Sequence, residues 1–211
     1  NGKNINIVGG RYGISSKNTT PQDIYSVYKM LENELKNNFT IGIIDDVTNL
    51  SLDSFEYKLD LKAKEIKIYG FGSDGMVSAS KNIINTLGNI DNNYVQGYFE
   101  YDSKKSGGVT ISHLRVSKNN INAPYYVTNP NIIVVTKQEY FNKYNMLKDI
   151  KDNAILLINS TNLEQLVVLL ENQSVLKNKN VTILTINAED IANKNGIKGK
   201  INKIMEVINS L

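Results

Sequence analysis

The chain has 211 residues, 41% of them hydrophobic and 21% charged, and a formal net charge of +3. That length suits one large domain or one domain with part of another, and so small a charge, with no run of basic residues, does not point to nucleic acid. The lack of cysteine removes disulfides, thiolate nucleophiles, thiolate-held zinc and cysteine-ligated clusters from this chain, and no apolar stretch approaches the ~18 residues of a membrane span.

In chain order, "NINIVGG" alternates polar and apolar residues, so residues 4–8 read as a strand. "TTPQD" predicts a helix start, with Thr20 as N-cap, Pro21 at the first position and Asp23 at the positive end of the dipole. Ile24, Val27, Tyr28, Leu31 and Leu35 follow at helical spacing and predict one buried face. "FTIGII" (39–44) reads as a strand, and residues 50–64 show neither period, which places a boundary there.

From residue 66 strands and helices alternate. A strand at 66–69 runs through a glycine-rich turn into a helix at 76–87, with Met76, Ala79, Ile83, Ile84 and Leu87 inward and Gly88 as its stop. Strands at 94–102 and 108–117 flank the loop "SKKSG". A strand at 132–136 precedes a helix over 137–150, a strand at 154–159 precedes a helix centred on "LEQLVVLL", and a strand at 181–187 precedes a short helix and a terminal one. The alternation predicts an α/β fold, an open and mainly parallel sheet with helices on both faces and an N-terminal strand–helix extension. The chain opens on Asn1 without a long apolar segment and closes inside the periodic run "INKIMEVINSL". A piece of a longer cytoplasmic polypeptide, without a signal peptide, is the expectation.

The turn "GFGSDG" has the spacing G-x-G-x-x-G at the carboxyl end of a strand, where doubly wound sheets bind ligands. Glycines admit a phosphate close to the backbone, and the helix start favours an anion. A dinucleotide, another phosphate-bearing ligand and a plain tight turn all fit; Glu100 and Asp102 stand near the place of a ribose-binding acid, whereas Asp74 would face a pyrophosphate. Lys104 and Lys105, between serines and followed by Gly107 and Gly108, read either as a phosphate clamp or as a solvated hairpin tip. His113 is the only histidine and reads as a hydrogen-bonded structural residue. Arg115, on the same strand face, can bind an anion or pair with a carboxylate. Asp45 and Asp46 are adjacent and would point to opposite faces of an extended chain, so a turn role suits them better than a shared metal.

The segments "GGRYGISSKNTTPQDI", "FTIGIIDDVTNLSL", "GFGSDGMVSASKNII", "YVQGYFEYDSKKSGGVTISHLRVS" and "INKIMEVI" resemble consecutive stretches of the pyruvate:ferredoxin (flavodoxin) oxidoreductase family. The resemblance is most specific at "YDSKKSGGVTISHLR". It implies that residues 62–211 correspond to the third domain, equivalent to a gamma subunit, and residues 1–61 to the end of a transketolase-C-like domain with its linker. It further implies oxidative decarboxylation of pyruvate with coenzyme A, using thiamine diphosphate, Mg2+ and [4Fe-4S] clusters bound elsewhere in the full-length enzyme. Ferredoxin or flavodoxin would accept the electrons, the other domains of the same polypeptide would be partners, and the whole would be a homodimer. Neither nucleic acid nor a membrane is implied.

For this segment the resemblance implies coenzyme A binding by Gly72, Ser73 and Asp74 at the turn, Lys104 and Lys105 in the loop, and Asn159 with Ser160 at a strand end. No catalytic residue or metal ligand is implied. The sequence departs from the family pattern at Met76, at Ser80 and in "NSTN" after Ile158. A free-standing dinucleotide-binding domain and a packing domain without ligand are the competing expectations.

Overall fold

A computed structural model describes residues 5–14, 17–44, 47–57, 59–71, 75–101, 108–161, 169 and 171–210. The chain divides into two compact units, residues 1–61 with 123–126, and residues 62–122 with 127–211.

In the first unit, α1 (Pro21–Glu32) begins as its sequence dictates. Thr20 Oγ1 accepts from the Asp23 backbone N–H at 3.2 Å, and the Thr20 N–H donates to Asp23 Oδ2 at 2.8 Å, closing a capping box ahead of Pro21. Its buried side differs from the expected face. Ser26 and Met30 are buried, whereas Ile24, Tyr28, Leu31 and Leu35 are exposed and Val27 is half-buried. Met30 joins Phe39 and Ile41 in a small core with Val8, Val27 and Leu52 around it.

The two strands of this unit are also shorter than expected. In place of 4–8 and 39–44, β1 (Gly10–Arg11) pairs in parallel with β2 (Phe39–Thr40). A Cβ at Gly10 would lie 2.2 Å from the Phe39 ring, so the backbone approach that makes this pairing needs glycine. Ile5 and Ile7 are exposed, because among the described residues no strand lies beside them to bury their alternation.

The second unit is a six-stranded sheet of order β4–β5–β3–β6–β7–β8, formed by β3 (Lys64–Phe71), β4 (Tyr94–Tyr101), β5 (Val109–Ser117), β6 (Ile132–Val135), β7 (Ile155–Asn159) and β8 (Thr182–Ile186). β3, β6, β7 and β8 are parallel; β5 runs antiparallel to both β3 and β4. The central strands β6 (IIVV) and β7 (ILLIN, up to its last residue) are apolar runs because both faces are covered.

Alternation sorts them cleanly. Ile66, Ile68, Leu114, Val134 and Leu157 face α2 (Met76–Gly88), α4 (Ala188–Lys194) and α5 (Ile201–Ser210), through Met76, Ala79, Ile83, Ala188 and Met205. Tyr69, Ile133, Val135, Leu156 and Ile158 face the other way, onto Phe141, Met146, Leu147, Ile150, Leu169 and Leu176 of α3 (Gln173–Asn178). The architecture is the α/β arrangement expected, a mostly parallel sheet with helices on both faces.

One element differs. The helix expected over 137–150 is a 3-10 turn at Gln138–Asn142 followed by irregular turns. Its N-cap residue Lys137 makes no side-chain capping bond, and Tyr140, Phe141, Met146, Leu147 and Ile150 are buried without a continuous α-helix. The helix expected around "LEQLVVLL" lies largely outside the described residues. No helix among the described residues is long and apolar enough to cross a membrane.

Candidate functional site

The connections out of β3 and β6 diverge. β3 leads toward α2 on one face and then to β4 and β5, whereas β6 leads to the 138–150 segment on the opposite face and then to β7. The carboxyl ends of these two neighbouring strands therefore flank a topological switch point, the place where open α/β sheets leave a crevice for ligands. Phe71 ends β3, and Gly75 starts α2 in the left-handed region at φ +80°. A Cβ there would also stand 2.7 Å from Asn202 Nδ2 of α5, so glycine is required both by conformation and by contact.

On the β6 side, Thr136 is pinned to β3 twice. Its N–H and its Oγ1 donate to the Tyr69 carbonyl at 3.1 and 3.0 Å. Lys137 then emerges with its ammonium 4.8 Å from the centroid of the Phe71 ring. Gln138 Nε2 donates to Ser160 Oγ. Asn159 joins three elements at this edge: Nδ2 donates to the Thr136 carbonyl at 3.2 Å, and Oδ1 accepts the N–H of Ala188, the first residue of α4, at 3.0 Å. The Ser160 N–H donates to the Ile186 carbonyl at 2.9 Å, continuing the β7–β8 ladder one residue past the end of β7. Polar side chains immediately after buried apolar strands thus fasten the parallel strands to one another at their carboxyl ends.

Of the residues singled out in the sequence, Asn159 and Ser160 lie at this edge. Gly72, Ser73, Asp74, Lys104 and Lys105 lie outside the described residues, as do Asp45, Asp46 and Asp102. Thr136, Lys137 and Gln138 lie at the same edge and were not singled out in the sequence. Their signal was available, because "TKQ" follows the buried strand "IIVV" at the same kind of strand end as the glycine turn.

His113 and Arg115 lie away from the edge. In the β3–β5 register His113 stands opposite Lys67, four residues before Phe71, roughly 13 Å along the strand. His113 is almost wholly buried, with Nε2 3.2 Å from Glu100 Oε2. Burial pushes its imidazole below the ordinary pKa, and the hydrogen bond from His113 in turn lowers the Glu100 carboxyl. Burial likewise lowers the pKa of Lys67. Arg115 resolves its two sequence alternatives by pairing with Glu65: Nε to Oε1 is 2.9 Å, and Lys151 Nζ meets Glu65 Oε2 at 2.9 Å. Among the described residues no group of three His, Asp or Glu side chains could hold a metal ion.

The family model for pyruvate ferredoxin/flavodoxin oxidoreductase matches residues 65–207, the stretch that builds the six-stranded sheet and its edge. Pyruvate:ferredoxin oxidoreductase of Moorella thermoacetica is 42% identical over 97% of this chain, and the chain spans about 18% of that protein's length. The gamma subunit of a keto/oxoacid ferredoxin oxidoreductase from Geobacter sulfurreducens shares the fold at a TM-score of 0.51 and 19% identity, covering 67% of this chain and 70% of that one. A 2-oxoglutarate:ferredoxin oxidoreductase from Magnetococcus marinus does so at a TM-score of 0.51 and 12% identity, over 69% of this chain and 23% of its own. With a family model covering most of the second unit and a relative this similar along almost the entire chain, the chain belongs to the pyruvate ferredoxin/flavodoxin oxidoreductase family.

Proposed function

We propose that the full-length protein oxidatively decarboxylates pyruvate with coenzyme A to acetyl-coenzyme A and carbon dioxide, passing two electrons to ferredoxin or flavodoxin, and that this segment supplies part of the coenzyme A site. The observation that carries this reading is the family match over residues 65–207, which coincides with a sheet that has a topological switch point between the carboxyl ends of β3 and β6. Coenzyme A carries a diphosphate and a 3′-phosphate, and the sequence around that switch point is suited to phosphate. Gly72, Ser73 and Asp74 precede the first turn of α2, and Lys104 and Lys105 follow β4. Asn159 and Ser160 complete the proposed site at the end of β7. The Magnetococcus marinus enzyme that shares this fold was solved with 2-oxoglutarate, coenzyme A and succinyl-CoA bound.

In this reading residues 62–211 form the gamma-subunit-like domain, and residues 1–61 the end of a transketolase-C-like domain with its linker. Thiamine diphosphate with Mg2+ supplies the carbon chemistry, and [4Fe-4S] clusters carry the electrons. The cluster thiolates come from other parts of the polypeptide, because this chain has no cysteine. The assembly is a cytoplasmic homodimer, and the segment has no turnover of its own.

The test is coenzyme A saturation in the full-length enzyme. Lys104→Ala with Lys105→Ala is expected to raise the half-saturating coenzyme A concentration about ten- to a hundredfold, as loss of charge-assisted phosphate contacts predicts. The pyruvate requirement should change little. Unaltered coenzyme A saturation would reduce the loop to a solvated tip, and tight binding of NAD in its place would assign the glycine turn to a dinucleotide.

A further inference from the structure

We infer that Lys137 is a phosphate-binding residue of this site, supplying a cation from the β6 side of the crevice in addition to the loop lysines. The inference rests on the coenzyme A reading above. It starts from where the chain is anchored. Val135 is fully buried, and Thr136 holds the Tyr69 carbonyl with both its N–H and its hydroxyl, so the backbone leaving β6 is fixed to β3 at the last residue before Lys137. One residue further on, Gln138 is tied to Ser160 at the end of β7. Lys137 therefore projects from a short rigid stretch between two strand-end clamps.

Its direction is set as well. The ammonium lies over the face of Phe71, the last residue of β3 and the residue that leads into the glycine-rich turn. The attraction of a cation to an aromatic face biases the Lys137 side chain toward the rotamers that keep it over the ring. Lys137 is exposed, and among the described residues no carboxylate lies within ion-pair range of it. Lys151, by contrast, is spent on Glu65, Lys194 on Asp190 and Lys203 on Glu206. At the switch point, then, the fold presents an oriented cation with no countercharge among the described residues, next to the last residue of β3. An anionic ligand in the crevice supplies the missing charge, and the ring keeps the ammonium from collapsing onto the protein when the ligand leaves.

The experiment uses the full-length enzyme with Lys137→Ala, Lys137→Gln and Lys137→Arg, alongside the Lys104→Ala/Lys105→Ala variant. Lys137→Ala and Lys137→Gln are expected to raise half-saturation by coenzyme A about three- to tenfold, less than for a buried contact because the site is open to water. Half-saturation by pyruvate and the thermal midpoint should stay the same, and Lys137→Arg should restore most of the loss. ADP and adenosine, tested as inhibitors competing with coenzyme A, separate phosphate from adenine: the Ala variant should weaken ADP and leave adenosine unchanged. If the loop-lysine variant shifts coenzyme A saturation and Lys137→Ala does not, the Lys137 inference falls while the site reading stands. A lower thermal midpoint with unaltered coenzyme A saturation would make Lys137 a structural residue and also overturn the inference. If no variant alters coenzyme A saturation and the enzyme does not use it, the site reading falls and takes this inference with it.

Discussion

Glu65 and Arg115 face each other across β3 and β5, and their 2.9 Å ion pair is sealed from water, with the Arg115 side chain wholly buried and that of Glu65 8% exposed. Gln96 Oε1 accepts from Arg115 Nη1 at 3.0 Å, and Lys151 holds the other Glu65 oxygen. Removing one member of such a pair leaves the other buried and uncompensated, a change that costs about 3–5 kcal/mol. Arg115→Met should therefore lower the urea midpoint of the segment sharply. Glu65→Leu combined with Arg115→Met should lose less than the two single changes added together. Additive losses would mean that the residues act independently.

Acid should weaken the same sheet through His113. Its imidazole is held below the ordinary value of about 6.5, first by burial and then by the nearby charges of Lys67 and Arg115, while its bond to Glu100 works in the opposite direction. The folded state thus keeps His113 neutral. As pH falls below ~6.5 the unfolded chain takes up a proton that the folded chain refuses, and stability drops. Glu100 is also depressed, so its contribution is present above the ordinary carboxyl value of about 4.3 and is lost as pH falls further through its folded pKa. Thermal melts from about pH 7.5 down to about 2 should show both phases, and His113→Gln should flatten the upper one. An unchanged upper phase in that variant would place its source elsewhere.

Gly75 carries two separate demands that substitution can divide. An L-residue in its left-handed conformation costs roughly 1–2 kcal/mol, and any Cβ also meets the Asn202 carboxamide. Gly75→Ala should lower the thermal midpoint, and adding Asn202→Ala should recover only the contact portion, because the conformational cost remains. Full recovery would assign the entire effect to Asn202.

The apolar face of α1 supports a prediction about the longer protein. Tyr28 is 62% exposed and Leu31 48%, on a chain that spans about 18% of its Moorella thermoacetica relative. Tyr28→Ser with Leu31→Gln should leave the isolated segment's stability within about 0.5 kcal/mol, as surface changes do, and reduce its binding of a hydrophobic dye. If neighbouring domains of the full-length protein cover this face, the same pair should lower its thermal midpoint. A clear loss in the segment alone would show that α1 already buries these side chains.

Local chemistry made much of this molecule legible in advance. Thr20, Pro21 and Asp23 specify the start of α1 with groups three residues apart, and a capping box depends on nothing more distant. The runs "IIVV" and "ILLI" announce strands covered on both faces, since strands apolar at successive positions are those buried on both sides. Gly75 was legible for the same reason, because left-handed backbone at a helix start selects glycine.

Tertiary structure decided whatever depended on a partner distant in the chain. Periodicity announced an apolar face on α1, but what covers a face is a property of its neighbours, and in this chain Ile24, Tyr28, Leu31 and Leu35 meet water. Segment 138–150 had apolar residues enough for a helix, yet Tyr140, Phe141, Met146, Leu147 and Ile150 pack into the core cluster beneath the sheet from a 3-10 turn and irregular turns. Arg115 could equally have bound an anion until β3 brought Glu65 across from it. Thr136 and Tyr69, 67 residues apart, meet only because β6 lies beside β3, and that same adjacency sets Lys137 over Phe71. Sequence patterns report the surroundings each residue prefers, whereas the order of strands in the sheet selects which residues become those surroundings.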